Sequence, residues 1–459
     1  MLLQSPWQPH LADIPGSPSE KLVAAMADDI LEGRLEAGAR LPAHRDLAWS
    51  LKIGVGTVTK AYAVLERRGL TRSVKGRGTF VALVQAHKAG GIDLSFNQPP
   101  AMLSERLLRR TLASIARSVD PTLFTHYPPA LGHDEHRRLM AQWLQDLGMP
   151  AEPERVVLTS GAQQALSVAF AVSLRPGGTI FCETLTYPGV ITLARFAGYK
   201  LAGVAMDEEG MLPAALEKAL AAGPKGVRSA ILYIMPTMQN PTTATMGAQR
   251  RHEIAEICRR HRITVVEDDV YSLMPLPGRP PLATLAPERT FYVNSLSKTV
   301  SPGLRIGSLV VPAGQMERSV AALRASLLSV SPLSCAVMER WIVEGTAETL
   351  RSAIRMEADR RTSLARSILG SAVRRSEVAG FHIFLPMPRP EADRIAAAAA
   401  LAGVAVTQPR AIAAERDSKE SGLRLCLGAP ALPDLRAGLS RIASLLAEPA
   451  RQPNVMSMT

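Results

Sequence analysis

The sequence is poor in cysteine and in long apolar runs. It has four cysteines, Cys182, Cys258, Cys335 and Cys426. They form no CxxC pair and lie in no histidine arrangement typical of zinc, so we expect no metal site and a reduced compartment. The longest apolar run, residues 395–406, falls well short of the ~20 residues that span a bilayer. The amino terminus also lacks the basic start and apolar stretch of a signal peptide. We therefore expect a cytoplasmic protein without a membrane partner.

The charge of the chain is unevenly distributed. Lys and Arg exceed Asp and Glu by 12 over 459 residues. Between positions 52 and 77 the only acid is Glu66, and the cations are Lys52, Lys60, Arg67, Arg68, Arg72, Lys75 and Arg77. Such a cluster permits an anionic partner. The length suggests two to four structural units, at ~100–200 residues per domain.

The first of these units has the pattern of a DNA-binding module. The sequence SPSE at 17–20 is a capping box with proline at the first helical position, which predicts a helix over about residues 18–32. Residues 41–70 indicate two short helices joined around Ile53 to Gly56. Residues 71–81 place extended residues around a basic glycine turn, as in a β-hairpin wing. Helix, helix-turn-helix and wing follow in the order of a DNA-binding module.

Three stretches in this unit carry a family resemblance: ILEGRLEAGARLP, TVTKAYAVLERRGL and GRGTFV. Together they resemble the winged helix-turn-helix of GntR-type transcription regulators over roughly residues 18–82, which implies double-stranded DNA as a partner. Val55 stands where many such regulators have an arginine. The candidate phosphate contacts are Arg45, Arg72, Lys75 and Arg77, and the candidate base contacts are Thr57, Thr59 and Lys60. The alternative is a small helical domain with a solvated charged face.

The rest of the chain alternates short apolar strands with helical stretches. The strand-like runs are RVVLT, TIFCE, SAILYI, RITVVEDD and TFYVNS. This alternation predicts an α/β fold with a largely parallel sheet, whose ligands gather at the carboxyl ends of the strands. We divide the chain into a tail (1–17), a winged helix (18–83), a linker (84–92), an α/β unit (93–450) and a second tail (451–459).

Four predicted strand ends in the α/β unit carry polar residues. They are the Ser160-Gly161-Ala162 turn, Asn240, the pair Asp268 and Tyr271, and Lys298 followed by Arg305. Each by itself is also compatible with an ordinary turn or surface loop. Together they match one cofactor, because a lysine amine can form a Schiff base with the aldehyde of pyridoxal phosphate. That cofactor also needs a carboxylate at its ring nitrogen, donors at its phenolic oxygen, and hydroxyls and an arginine at its phosphate.

The stretches TSGAQQAL, TYPG, QNPTT, EDDVY and SLSKTVSPGLRIG closely resemble fold-type I aminotransferases. The resemblance covers most of residues 93–447. It implies a large, mostly parallel sheet domain and a smaller α+β domain that bind pyridoxal 5'-phosphate. By this resemblance Lys298 forms the Schiff base and Asp268 pairs with the pyridine nitrogen. The other implied contacts are Asn240 and Tyr271 at the phenolic oxygen, Tyr187 on the ring, and Gly161, Ala162, Ser295 and Arg305 at the phosphate.

Two further roles follow from the same resemblance. Tyr127 fits the tyrosine that such folds lend across a dimer interface, although its YPPALG lacks the usual Asp-Pro. Arg424, in GLRLCLG, fits the arginine that holds a substrate carboxylate with a bidentate fork.

A GntR-like unit before an aminotransferase-like unit is the arrangement of the MocR/GabR family of bacterial regulators. The resemblance implies a homodimeric transcription regulator whose pyridoxal phosphate domain senses an amino acid, an amine or the cofactor itself. Two other functions stay open. The chain could be a working aminotransferase with an accessory DNA-binding unit, since Lys298, Asp268 and Arg424 are all retained. It could also be a dimerisation scaffold without chemistry, which the intact lysine motif weighs against.

Overall fold

The structure is a computed structural model of the chain. It describes residues 7, 9–13, 15–31, 34–35, 38–67, 70–74, 77–81, 91–223, 229–415 and 418–448. Lys75, most of the predicted linker and the second predicted tail lie outside the described residues. Among the helices that are described, none has the length and apolar character needed to cross a membrane.

The first unit begins with α1 (Pro18–Leu31), which confirms the predicted first helix. The backbone amide of Ser17 donates to Glu20 Oε2 at 2.7 Å, and the amide of Glu20 donates back to Ser17 Oγ at 3.4 Å. This reciprocal cap satisfies amides that a helix start leaves free. The apolar face of α1 is buried through Leu22 and Met26 in the core of the unit.

The helix-turn-helix and the wing also form as predicted. Helix α2 (His44–Leu51) and helix α3 (Val55–Arg67) are joined through Lys52, which has a left-handed backbone with φ 53°. Strands β1 (Thr71–Val74) and β2 (Gly78–Val81) pair antiparallel. Val58 and Leu65 of α3 pack into the core shared with α1, so the opposite face of α3 is exposed.

The second unit is larger. Its elements up to the fifth strand of the main sheet are β3 (Ile92–Leu94), α4 (Glu105–Ser118), α5 (Thr122–Thr125), α6 (Asp134–Asp146), β4 (Val156–Thr159), α7 (Ala162–Ser173), β5 (Thr179–Glu183), α8 (Pro188–Ala197), β6 (Lys200–Val204), β7 (Met206–Asp207), β8 (Gly210–Met211), α9 (Pro213–Ala222), β9 (Ala230–Ile234), α10 (Ala248–Arg260) and β10 (Thr264–Asp268). The remaining elements are α11 (Leu282–Leu285), β11 (Thr290–Ser295), α12 (Leu296–Thr299), β12 (Gly307–Val310), α13 (Met316–Ser326), α14 (Pro332–Val343), α15 (Thr346–Leu369), β13 (His382–Pro386), α16 (Arg389–Leu401), β14 (Val404–Val406), β15 (Gly422–Cys426) and α17 (Leu432–Ala447).

The main sheet has seven strands in the order β4-β12-β11-β10-β9-β5-β6. Strand β12 is antiparallel to both of its neighbours, and the other pairings are parallel. Strands β4 and β5 are buried along their whole length, and helices that cover the sheet, α7 among them, contribute to the same apolar core. Five strands run in the same direction and end at one edge of the sheet, namely β4, β5, β9, β10 and β11. Most of the predicted cofactor-site residues follow these strand ends.

A smaller region packs beside this edge. Strands β13 and β15 pair antiparallel, and β14 pairs in parallel with β3. Helices α15, α16 and α17 contribute the apolar residues that cover these strands. Strand β3 lies only ten residues after the wing strand β2, so the chain enters the smaller region before it builds the main sheet.

Candidate functional site

Lys298 lies in the short helix α12, directly after β11 at the centre of the main sheet. Its Nζ donates to the backbone oxygen of Asn97. Burial lowers the pKa of the Lys298 amine to about 8, and the positive charge of Arg424 acts in the same direction. An amine with a lowered pKa is partly neutral near pH 7, and the neutral form is the nucleophile.

Asp268 ends β10, the neighbouring strand. Its Oδ2 accepts from Tyr233 Oη at 2.8 Å, and its Oδ1 is buried without a hydrogen-bond partner among the described residues. Burial raises the pKa of the Asp268 carboxyl to about 7. An orphaned carboxylate oxygen at this depth is costly unless a donor reaches it. The site can therefore accept a hydrogen bond from a cationic ring.

Tyr271 and Asn240 meet beside this carboxylate. Tyr271 Oη accepts from Asn240 Nδ2 at 3.1 Å and from Asn97 Nδ2 at 2.9 Å. Because both amides donate, the Tyr271 hydroxyl proton is free to be donated elsewhere. Tyr187 precedes α8, and its Oη donates to Gln163 Oε1 at 3.4 Å. Burial and then the charge of Asp268 raise the pKa of Tyr187, which places this phenol near the same carboxylate.

Arg305 lies at the amino-terminal end of α7. Its Nη2 donates to the oxygen of Ser160 at 3.2 Å and its Nη1 to Ser297 Oγ at 3.2 Å. Gly161 has φ +86°, and a Cβ there would lie 2.6 Å from Arg305 Nη2. The left-handed backbone of this position favours glycine, and a side chain there would displace the end of Arg305. A guanidinium beside the first amides of a helix, which start here at Ala162, is suited to bind an anion.

Ser295 is turned toward the backbone in this structure. Its Oγ donates to the oxygen of Ile306 at 3.1 Å and accepts from the amide of Ser297 at 3.1 Å, so it caps α12. The hydroxyl that contacts Arg305 is that of Ser297. The phosphate role of Ser295 stays a prediction.

Arg424 is buried in the middle of β15, in the smaller region. Its Nη1 donates to Asn240 Oδ1 at 2.8 Å, and its Nη2 donates to the oxygen of Ser95 at 2.9 Å and to Thr407 Oγ1 at 2.9 Å. The guanidinium therefore connects the smaller region to the loop that carries Asn240. Tyr127 is 87% exposed and lies apart from this cluster.

Sequence reasoning missed several residues of the cluster: Ser95, Asn97, Tyr233, Ser297, His382 and Thr407. Tyr233 lies within the apolar β9 and looks like a core residue, and only its contact with Asp268 reveals its role. Asn97 and His382 are far apart in sequence, yet Asn97 Nδ2 and His382 Nδ1 lie 3.1 Å apart. Burial lowers the pKa of His382 to about 3, so its ring is neutral and Nδ1 can accept from Asn97. No local motif indicates these contacts.

The predicted DNA-binding residues are spread over the first unit. Arg45 and Arg77 are exposed, and Arg72 is half-buried on β1. Thr57 is half-buried, and Thr59 Oγ1 donates to the oxygen of Val55 at 3.0 Å and contacts His44 Nδ1 at 3.1 Å. Lys60 is exposed and lines a groove with Glu20 of α1. The described cations are thus available to an anionic partner, while the Thr59 hydroxyl already has partners within the unit.

Two family models match the chain. Residues 89–442 match aminotransferase class I and II, and residues 18–81 match bacterial regulatory proteins of the gntR family. The HTH-type transcriptional regulator TauR of Rhodobacter capsulatus is 30% identical, with 69% of this chain and 72% of that protein covered. The vitamin B6 salvage pathway transcriptional repressor PtsJ of Salmonella typhimurium is 30% identical over 64% of this chain and 67% of that protein. The chain belongs to the MocR/GabR family of transcription regulators.

Several solved structures similar to this MocR/GabR regulator are aminotransferases. An archaeal alanine:glyoxylate aminotransferase gives a TM-score of 0.71 at 23% identity, over 78% of this chain and 91% of that one. The α-aminoadipate aminotransferase LysN of Thermus thermophilus, complexed with N-(5'-phosphopyridoxyl)-L-leucine, gives 0.68 at 26%, over 79% and 95%. The predicted fold class of the regulator is confirmed: a GntR-type winged helix precedes a fold-type I aminotransferase fold.

Proposed function

We propose that this regulator binds pyridoxal 5'-phosphate through a Schiff base on Lys298, senses an amino compound or the cofactor itself, and acts on double-stranded DNA as a homodimer. The observation that supports it most is the convergence of Lys298, Asp268 and Arg305 at one edge of the main sheet. The amine of Lys298 matches the aldehyde of the cofactor, the carboxylate of Asp268 its ring nitrogen, and the anion site at Arg305 its phosphate.

The described residues fit the cofactor. The unpaired Oδ1 of Asp268 can accept from a protonated pyridine nitrogen, and Asn240 and Tyr271 can donate to the phenolic oxygen. Arg305 and the start of α7, at Gly161 and Ala162, can hold the phosphate. Tyr187 would stack on the ring. When bound, the cofactor supplies an aldehyde that captures amines and a ring that withdraws electrons from the carbon bonded to the captured nitrogen.

Arg424 gives the site a means of recognising amino acids. Its guanidinium is buried, close enough to influence the Lys298 amine, and already engaged by oxygen acceptors. A carboxylate is a stronger partner than these neutral oxygens, because it carries the opposite charge and can accept two parallel hydrogen bonds from one guanidinium. We infer that an α-amino acid would place its amine at Lys298 and its carboxylate at Arg424.

The first unit would bind the DNA. Its winged helix matches the gntR family, and cations are exposed on α2 and on the wing. Two relatives are named for vitamin B6 regulation, the repressor PtsJ and the pyridoxine biosynthesis regulator PdxR of Corynebacterium glutamicum. These names support a regulator that responds to the cofactor or its chemistry.

A second candidate function is amino-group transfer. It is favoured by the presence of Lys298, Asp268 and Arg424 in one cluster, which is the set that transamination requires. Steady-state assays with amino acids and 2-oxo acids separate the two functions. Sustained turnover would make the chain an enzyme with a DNA-binding unit, whereas a single half-reaction would fit a sensor.

The test of the proposed function uses the full-length protein. We expect the purified protein to be yellow and to retain pyridoxal phosphate on Lys298 after borohydride reduction, as peptide mapping would show. Lys298→Ala should lose this link, since the chain's amine at the end of β11 is removed. A trapped adduct on another lysine would refute the assignment. Binding of a duplex selected by the wild type should also depend on the winged helix.

A further inference from the structure

The candidate site holds the backbone of a short segment that follows β3. Arg424 Nη2 and Thr407 Oγ1 donate to the oxygen of Ser95 at 2.9 and 3.0 Å. Lys298 Nζ donates to the oxygen of Asn97. Two residues that would bind the cofactor and the amino acid thus also hold the chain at positions 95–97.

The same stretch of chain ends on the winged helix. Ser104 caps α4, where its Oγ accepts from the amide of Leu107 at 3.2 Å. In the first turn of α4, Arg106 Nη1 pairs with Glu66 Oε2 at 2.7 Å. Glu66 belongs to α3, and its Oε1 accepts from the amide of Ser73 on β1 at 2.9 Å. Arg106 therefore contacts the carboxylate through which α3 is hydrogen-bonded to strand β1 of the wing.

We propose that residues 95–106, here called the connector, transmit occupancy of the Lys298 and Arg424 site to the winged helix through the Arg106–Glu66 ion pair. This inference rests on the proposed function. It adds to that function a specific route along the chain and a residue, Arg106, that belongs neither to the predicted cofactor site nor to the predicted DNA contacts.

The cause of the movement follows from hydrogen-bond requirements. When Lys298 condenses with the aldehyde, its C=N bond forms as the C=O bond breaks, and the oxygen leaves as water. The lysine nitrogen then has no ammonium hydrogens for the oxygen of Asn97. When a carboxylate binds Arg424, the oxygen of Ser95 loses its charged donor and keeps only weaker ones, Thr407 Oγ1 among them. Loss of the donor at Asn97 and of the charged donor at Ser95 is costly in a partly buried place, so we expect the connector to move and regain partners.

The contact between the two units leaves room for such a movement. A groove of about 860 Å³ lies between α1 and α15, and Met102 of the connector lines it. A second ion pair, Arg360 Nη1 with Asp28 Oδ1 at 2.7 Å, crosses the groove from α15 to α1. A shift of α4 would therefore pull on α3 and the wing at Glu66, while Asp28 stays attached to α15.

The test compares two arginines of α4 in the full-length protein. Both side chains are exposed, but Arg106 pairs with Glu66 of α3, whereas Arg109 pairs with Glu105 of its own helix at 2.5 Å. Duplex affinity of Arg106→Ala, Arg109→Ala and wild type is measured by fluorescence anisotropy, with a duplex selected by the wild type. Each protein is measured without cofactor, with pyridoxal 5'-phosphate, and with N-(5'-phosphopyridoxyl)-L-leucine, which carries a carboxylate for Arg424.

Coupling between two sites changes affinity by about 5- to 150-fold, so we expect wild type and Arg109→Ala to respond within that range and Arg106→Ala by about two-fold or less. Arg106→Lys should restore part of the response, because it keeps the charge next to Glu66. Absorbance of bound pyridoxal phosphate should be the same in all variants. An equal response in Arg106→Ala and Arg109→Ala would overturn the connector and leave the proposed function intact. Absence of cofactor binding or of any ligand response in the wild type would instead refute the proposed function, and the connector with it.

Discussion

Lys298 is a buried amine, and its surroundings decide how fast it can react. Burial lowers the pKa of this amine to about 8 in the protein without cofactor. The amine is cationic and unreactive below that pKa, and neutral and nucleophilic above it. The nearby Asp268 carboxyl, whose pKa burial raises to about 7, gains its negative charge slightly earlier as the pH rises. Both changes favour cofactor binding at mildly alkaline pH.

We predict that the rate of pyridoxal phosphate capture rises about ten-fold per pH unit below pH 8 and levels off above it. The measurement is stopped-flow absorbance of cofactor-free protein mixed with pyridoxal phosphate between pH 6 and 10. Asp268→Asn serves as a control, since it removes the second titrating group. The break should then move somewhat below pH 8, because the negative charge of Asp268 raises the pKa of the Lys298 amine. A rate that keeps rising to pH 10 would mean that the amine has the pKa of an exposed lysine.

At the scale of single elements, the wing is the part of the first unit that we expect to contact DNA phosphates. Arg77 is exposed at the turn between β1 and β2, and Arg72 is half-buried on β1. A cation on a phosphate displaces a counterion from B-DNA, which makes binding salt-dependent.

We predict that Arg77→Ala lowers affinity for all duplexes and reduces the slope of log K against log salt by about 0.9, the value for one phosphate contact. Arg436→Ala is the matched control, because this exposed arginine lies on α17, far along the chain from the wing. Anisotropy titrations from 50 to 300 mM salt provide the slopes. A changed preference among sequences with an unchanged slope would show that Arg77 reads bases instead.

The elements show what sequence could and could not predict. Helix α1, the helix-turn-helix and the wing follow from local capping, periodicity and turn residues, and each is confirmed. The strand ends that carry Asp268 and Lys298 follow from short apolar runs that end in polar residues. Local pattern does not reveal Tyr233, which faces Asp268 from a strand that looks uniformly apolar. Nor does it reveal that Ser297, and not Ser295, contacts Arg305, because both hydroxyls lie beside the lysine and only the folded turn separates them.

At the scale of the whole molecule, the winged helix joins the protein beside β3, which belongs to the smaller region. Strand β3 pairs with β14 and lies just before the connector. A fragment that begins at Gly91 keeps this strand, whereas one that begins at Phe96 loses it. The two fragments therefore separate loss of the DNA-binding unit from damage to the cofactor site.

We predict that the fragment 91–459 binds pyridoxal phosphate within about three-fold of the full-length affinity, because the described cluster around Lys298 is complete in it. The same fragment should lose specific duplex binding by about 1,000-fold or more. The fragment 96–459 should retain the cofactor poorly, because β14 has lost its partner. Calorimetric titration with the cofactor and anisotropy with the selected duplex are the measurements, and undiminished duplex binding by either fragment would contradict the assignment of DNA binding to the first unit.

The pairing of β3 with β14 has a consequence for biosynthesis. Ile92 leaves the ribosome soon after the winged helix, but its partner Val404 follows roughly 310 residues later. At about 5–20 residues per second, β3 waits for about 15–60 s before its neighbour is made. The winged helix can fold during that interval, while β3 of the aminotransferase-like unit still lacks its strand partner. A nascent chain of this regulator can therefore fold its winged helix well before it completes the Lys298 site that would control DNA binding.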